Sequence, residues 1–157
     1  MPEKLLLLLF TLLFAGFSAE DSVAQISRKT VGAAEVNGTF RAYFSGKAKG
    51  SYDEIKIFAL GKGKLKIGFD LVYPYIDGTG EQSANMGEAE GIAEIVGDTA
   101  VYTNEEFGQC KITIKFAKPG TIRVNQKGTD AECGFGHNVS ADGTYKKFSG
   151  AKPKFEN

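Results

Sequence analysis

From Leu65 to Tyr73 every second residue is large and apolar (Leu65, Ile67, Phe69, Leu71, Tyr73), separated by Lys66, Gly68, Asp70 and Val72. A helix repeats about every 3.6 residues and cannot place those five on one side, so the segment is predicted to be a strand with one buried face. The same period recurs along the chain. Phe40, Ala42 and Phe44 share a face opposite Arg41 and Tyr43, and Ile55, Ile57 and Ala59 oppose Glu54, Lys56 and Phe58. Further on, Ala89, Gly91, Ala93 and Ile95 oppose Glu88, Glu90 and Glu94, and Cys110, Ile112, Ile114 and Phe116 alternate with Lys111, Thr113 and Lys115. Shorter runs cover Ala100–Thr103, Ile122–Asn125 and residues 142–148 around Tyr145.

Glycine-rich punctuation separates these runs. Gly61-Lys62-Gly63-Lys64, Gly97-Asp98 and Lys118-Pro119-Gly120 read as hairpin turns, because glycine supplies the positive φ that tight connections require. Pro74 is expected to stop its ladder, and residues 76–84 read as loop. About eight strands with short links predict a single antiparallel all-β meander, closed into a small barrel in preference to a two-sheet sandwich, since closure removes exposed edges. The small inward row from Ala89 to Ala93 would leave room for the large side chains of the preceding strand.

The start of the chain carries a different signal. Leu5–Phe14 is apolar apart from Thr11, follows Lys4, and precedes the small residues Ala15, Gly16, Ser18 and Ala19. That layout predicts a signal peptide over 1–19, and the run is too short to span a bilayer. A polar lead over 20–35, the barrel domain over 36–150 and a C-terminal tail over 151–157 complete the expected organisation. The mature product is expected outside the cytoplasm, in the periplasm or beyond the cell. There Cys110 and Cys133, the two cysteines of the sequence, are expected to form a structural disulfide worth about 3 kcal/mol.

Composition narrows the chemistry. Nineteen basic residues balance nineteen acidic ones, which gives no overall basic charge of the kind that nucleic-acid binders carry. One histidine leaves no two-histidine metal site, and His137 has neither a G-x-S-x-G nucleophile nor a free thiol to activate. No cofactor, metal site or enzymatic activity is expected. The carboxylates on one strand lack the folded loop that gathers the oxygens calcium needs.

Charge is nevertheless segregated along the chain. Asp77 to Glu106 contains acidic residues and no Lys or Arg, whereas Lys111, Lys115, Lys118, Arg123 and Lys127 follow with no acid among them. Neighbouring strands of opposite sign could pair across the sheet; if they do not, Glu88, Glu90, Glu94, Asp98, Glu105 and Glu106 form a recognition face for a cationic protein. The alternative is a lipocalin-like carrier of a small apolar ligand.

Gly97-Asp98-Thr99-Ala100-Val101-Tyr102, Cys110, Val124, Cys133-Gly134-Phe135-Gly136 and Gly143-Thr144-Tyr145 together resemble the C-terminal halves of small, largely uncharacterised exported bacterial β-proteins ending in C-G-x-G and G-x-Y. Size, export and β character also resemble periplasmic lysozyme inhibitors, although their Ser-Gly-x-x-x-Tyr loop is represented only by Ser45-Gly46. The second likeness implies a non-enzymatic binding module that blocks a lysozyme. The disulfide gives the first test. Denatured without reductant, the protein should take up no alkylating agent and weigh two hydrogens less than its reduced form; modified thiols would contradict the pairing.

Overall fold

A computed structural model describes residues 30–155; the expected signal peptide, the first part of the polar lead and the last two residues lie outside that range. Eight strands follow in order: β1 (Gly38–Tyr43), β2 (Tyr52–Gly61), β3 (Lys64–Ile76), β4 (Gln82–Val96), β5 (Thr99–Asn104), β6 (Cys110–Lys118), β7 (Thr121–Lys127) and β8 (Gly143–Ser149). Each pairs antiparallel with the next, and β8 pairs with β1, so the meander closes into a barrel rather than splitting into a sandwich. Among the described residues helix is confined to one turn, α1 (Ala33–Val36), and two short 3-10 turns.

Inward residues follow the expected alternation. Phe40, Ile55, Ile57, Ile67, Leu71, Ile112, Ile114, Ile122 and Tyr145 are wholly buried. Strand β4 supplies Gly87, Ala89, Gly91 and Ala93 to the same interior, opposite Leu71, Phe69, Ile67 and Leu65 of β3. The small side chains are a steric necessity. A Cβ on Gly91 would stand 2.7 Å from Tyr102 Cε2, and one on Gly87 would stand 2.7 Å from Val139 Cγ1 and 2.9 Å from Phe135 Cδ1. The space they leave holds the Phe69 ring, whose centroid is 5.2 Å from that of Tyr102 and 6.3 Å from that of Phe135.

Each end of the barrel is covered. At one end α1 buries Val36, and Lys147 Nζ donates to the carbonyls of Ala34, Glu35 and Asn37 at 3.0, 2.7 and 2.9 Å. Burial lowers the Lys147 pKa against the opposing pull of Glu35. At the other end the β7–β8 connection, residues 128–142, folds in as a plug that buries Phe135, Val139 and Ala141. The Cys110–Cys133 disulfide ties this plug to the first residue of β6. Asp130 shapes it by accepting from the N–H groups of Asn138 at 2.6 Å and Ala131 at 2.8 Å, and those bonds hold its carboxyl below the usual range. Gly136 N–H donates to Met86 O at 2.9 Å and Tyr145 Oη to Ala141 O at 3.0 Å, which anchors the plug to the barrel wall.

Three expectations need correction. Pro74 does not stop the ladder: β3 continues to Ile76, opposite Gln82, and the loop shrinks to residues 77–81. The β2–β3 ladder has already ended at Glu54 and Asp70, and the next N–H on that side, from Val72, goes to Asp53 Oδ1 at 2.8 Å. Pro74 lies two residues further with the same orientation, so its missing N–H faces a side that has no strand to receive one. Phe44 falls just past the end of β1, and the last strand runs one residue later than read. The described part of the C-terminal tail, residues 151–155, lies against the barrel. Pro153 is buried, Lys152 Nζ lies 4.7 Å from the Phe58 centroid, and Phe155 covers Gly68 with Lys66 Nζ 4.6 Å from its ring.

Phe69→Ala should cost about 3–5 kcal/mol in urea unfolding, as an aromatic lost from a filled interior, whereas Lys66→Ala on the outer face should cost less than about 1 kcal/mol. Equal costs would contradict the assigned faces of β3.

Candidate functional site

A row of acidic side chains runs across the outer face of β2, β3 and β4. Residues directly opposite each other in an antiparallel pair share a face, so the register aligns Arg41, Glu54, Asp70 and Glu88 in one row across β1 to β4. Glu54 is neutralised, since Arg41 Nε donates to its Oε2 at 2.7 Å and Lys56 Nζ stands 3.9 Å from its Oε1. Glu90, two residues beyond Glu88, pairs with Lys66 at 3.2 Å. Asp70 and Glu88 have no ion-pair partner among the described residues.

Gly68 sits in the next row, between Lys56 and Glu90. Its missing side chain leaves a shallow depression of ≈ 250 Å³ bordered by Lys56, Asp70, Glu88 and Glu90. Phe155 approaches from one side, 3.4 Å from where a Cβ would stand. Aromatic surface flanks the row on the β1 side. The Arg41 guanidinium is stacked 4.0 Å from the Tyr52 centroid and 3.6 Å from that of Phe148, and Tyr43 lies against Tyr52 at 5.6 Å. Tyr43 and Phe148 remain 60% and 57% exposed, whereas Glu54 is 9% exposed, so the accessible carboxylates of the row are Asp70 and Glu88.

The expected recognition residues divide. Glu88, Glu90 and Glu94 point outward along β4, with Glu94 opposite Lys64 toward the α1 end. Asp98 is only 3% exposed: Thr99 Oγ1 donates to its carboxylate at 2.8 Å and its carbonyl accepts from Phe116 N–H, so it fixes the β4–β5 turn and cannot meet a partner. Glu105 and Glu106 lie in the β5–β6 loop at the plugged end, where Glu105 borders a depression shared with Lys111 and Lys127. Glu54 and Asp70 belong to the row although sequence reading did not select them. Only the pairing register brings them beside Glu88.

His137 is a plug residue with its side chain 82% exposed and Nδ1 3.7 Å from Asp130 Oδ2, a surface ion pair when protonated. Among the described residues no cluster of His, Cys, Asp and Glu is arranged to hold a metal ion. No helix among them is long and apolar enough to cross a membrane.

On the opposite side of β2 from this row, Asp53 turns into the barrel and is 8% exposed. Burial, with a smaller push from Asp70, raises its pKa from 3.8 to about 6 despite the opposing Val72 N–H. Burial and then the negative charges of Asp53 and Asp142 raise the Tyr145 hydroxyl as well.

The chain matches no protein-family model, no curated protein and no solved structure. The functional argument therefore rests on the chemistry of the surface itself.

Asp53 yields a pH prediction. Its folded pKa lies above the unfolded value, so its contribution to stability is complete below about 3.8 and is lost as pH rises through about 6. Asp53→Asn keeps an oxygen for Val72 N–H without the charge. It should raise neutral-pH stability by on the order of 1–3 kcal/mol and flatten the pH dependence over that interval, measured by urea denaturation. A loss of stability at neutral pH would contradict the burial argument.

Proposed function

We propose that the protein is a non-enzymatic exported binding module, acting in the periplasm or outside the cell, whose outer face on β2, β3 and β4 takes a cationic partner protein. The disulfide supports an oxidising compartment. The observation that carries the reading is the Glu54, Asp70 and Glu88 row. Like charges directly opposite one another weaken a sheet, and neutral side chains at Asp70 and Glu88 would serve the barrel better. Two carboxylates unpaired among the described residues, Asp70 and Glu88, beside a depression and exposed tyrosines suit a partner carrying Lys and Arg, because aromatic rings supply contact area and the field steers encounter. Within the cationic proteins met outside a cell, lysozymes are the class to which the sequence resemblance points.

The carrier reading gains nothing from the interior. Phe40, Phe116 and Tyr145 fill it at no more than 1% exposure, and the two phenylalanine rings meet edge to face at 6.5 Å. Such a barrel is packed by its own side chains.

Inhibition assays against c-type, g-type and i-type lysozymes test the reading. At least one should be inhibited by micromolar protein, with the effect fading as salt shortens the Debye length below about 8–10 Å. Glu88→Lys with Glu90→Lys should slow association about tenfold or more at low salt. The same pair should change stability by less than about 1 kcal/mol, since both side chains are exposed. Failure to inhibit any of the three would remove the lysozyme assignment.

A further inference from the structure

The acidic face leaves the basic residues of the other side of the barrel unused. In the β6–β7 hairpin Lys111 lies directly opposite Lys127, and Lys115 opposite Arg123. Thr121 then has Lys118 opposite it on β6 and Lys146 on β8. None of these six cations makes an ion pair among the described residues. Like charges facing each other weaken the ladder, as on the acidic side.

One place in this row is shaped to hold an anion. The β6–β7 register shifts between Phe116 and Lys118, and past the shift Lys118 stands opposite Thr121. A depression of ≈ 230 Å³ opens there, lined by Ala117, Lys118, Thr121, Arg123, Thr144 and Lys146, with no carboxylate on its wall. Thr121, only 6% exposed, forms the floor; its Oγ1 accepts from Lys146 Nζ at 3.3 Å, which leaves its own hydrogen to donate. Three cations and two threonine hydroxyls thus line a space larger than one oxyanion, with room for the group and part of the sugar that carries it.

We propose that this cup, with the basic row running from it to Lys111 and Lys127, binds an anionic polysaccharide, one sulfate or carboxylate seated in the cup and the sugar chain lying along β6 and β7. Lys111 and Lys115 are four residues apart, about 13 Å at strand rise, which spaces the contacts for a linear polymer rather than a single ion. Glu105 beside Lys111 and Lys127, and Asp142 beside Asn125, moderate the far end of the row, so the cup is its tightest point. The outward residues between the cations are Thr113, Ala117, Thr121 and Asn125, and no exposed large apolar side chain lies on β6 or β7. A membrane surface would call for apolar groups to insert, and single-stranded nucleic acid for aromatic platforms. Hydroxyls and amides interleaved with Lys and Arg suit sugars.

Retention of the protein on immobilised heparin and on hyaluronate at low salt tests the proposal, with phosphatidylglycerol vesicles and single-stranded DNA as competing ligands. The expected result is retention on at least one polysaccharide that salt reverses. Arg123→Gln with Lys146→Gln should weaken it about tenfold or more, Lys118→Gln should weaken it less, and Asp70→Asn on the acidic face should leave it unchanged. Both substituted side chains of the double variant are exposed, so its thermal midpoint should stay at the native value or rise. No retention on either polysaccharide, equal retention by the double variant, or tighter binding to vesicles or DNA would overturn the proposal. Lysozyme inhibition plays no part in the readout, so the two faces succeed or fail separately.

Discussion

The barrel depends on one strand giving up its side chains. β4 offers the interior Gly87, Ala89, Gly91 and Ala93 in succession before Ile95, and through that gap the Phe69 ring meets those of Tyr102 and Phe135. A methyl group at Gly87 or Gly91 would stand 2.7 Å from a neighbouring side chain, well inside van der Waals contact. With larger residues on β4, the Phe135 plug would be pushed off the barrel end, together with the disulfide and the Asp130 turn that hold it. Close packing makes such displacement costly, because the interior has no slack to absorb it.

A filled interior moves function to the outside, where charge is sorted by strand. β2, β3 and β4 align Glu54, Asp70 and Glu88, whereas β6, β7 and β8 align Lys115, Arg123 and Lys146 in neighbouring rows. In an eight-stranded ring β3 and β7 are half a turn apart, so the unpaired carboxylates Asp70 and Glu88 and the unpaired cations of β6 to β8 lie on opposite sides of the barrel, while Lys56 and Lys66 stand among the acids beside Glu54 and Glu90. Zero formal net charge conceals this. The field near each side is that of a charged patch, and it can orient an approaching protein or polymer before contact. Exposed rings at Tyr43 and Tyr52 flank the acidic side, and Phe148 stands at the seam between the two, on β8 beside Lys146 and against Arg41 of β1.

Much of this architecture is legible in the sequence because period-two alternation and glycine turns are local signals. The inward row of β3 and the small residues of β4 follow from them, and the Cys110–Cys133 pairing from there being two cysteines in a chain expected to be exported. Pro74 misleads because a strand has two edges, and sequence does not tell which one lacks a partner. Asp98 is misread for a similar reason: a turn acid reads as exposed until Thr99 and the Phe116 N–H are seen to claim it. Glu54 and Asp70 are far apart in sequence from Glu88, and only the register shows them side by side. The basic run, by contrast, could be placed from sequence, since Pro119 folds Lys111–Lys118 onto Arg123–Lys127 and sets like charge against like.

Central to this account is recognition of a cationic protein through the outer carboxylates of β2, β3 and β4, and mapping that contact on backbone amides tests it most directly. In a low-salt NMR titration of the labelled protein with a lysozyme, perturbed amides should cluster around Glu54, Asp70, Glu88 and Glu90 and spread to Tyr43 and Tyr52. They should spare β6 and β7, and recover as salt is raised. Perturbations centred on Lys115, Arg123 and Lys146, or spectra unchanged at saturating partner, would contradict it.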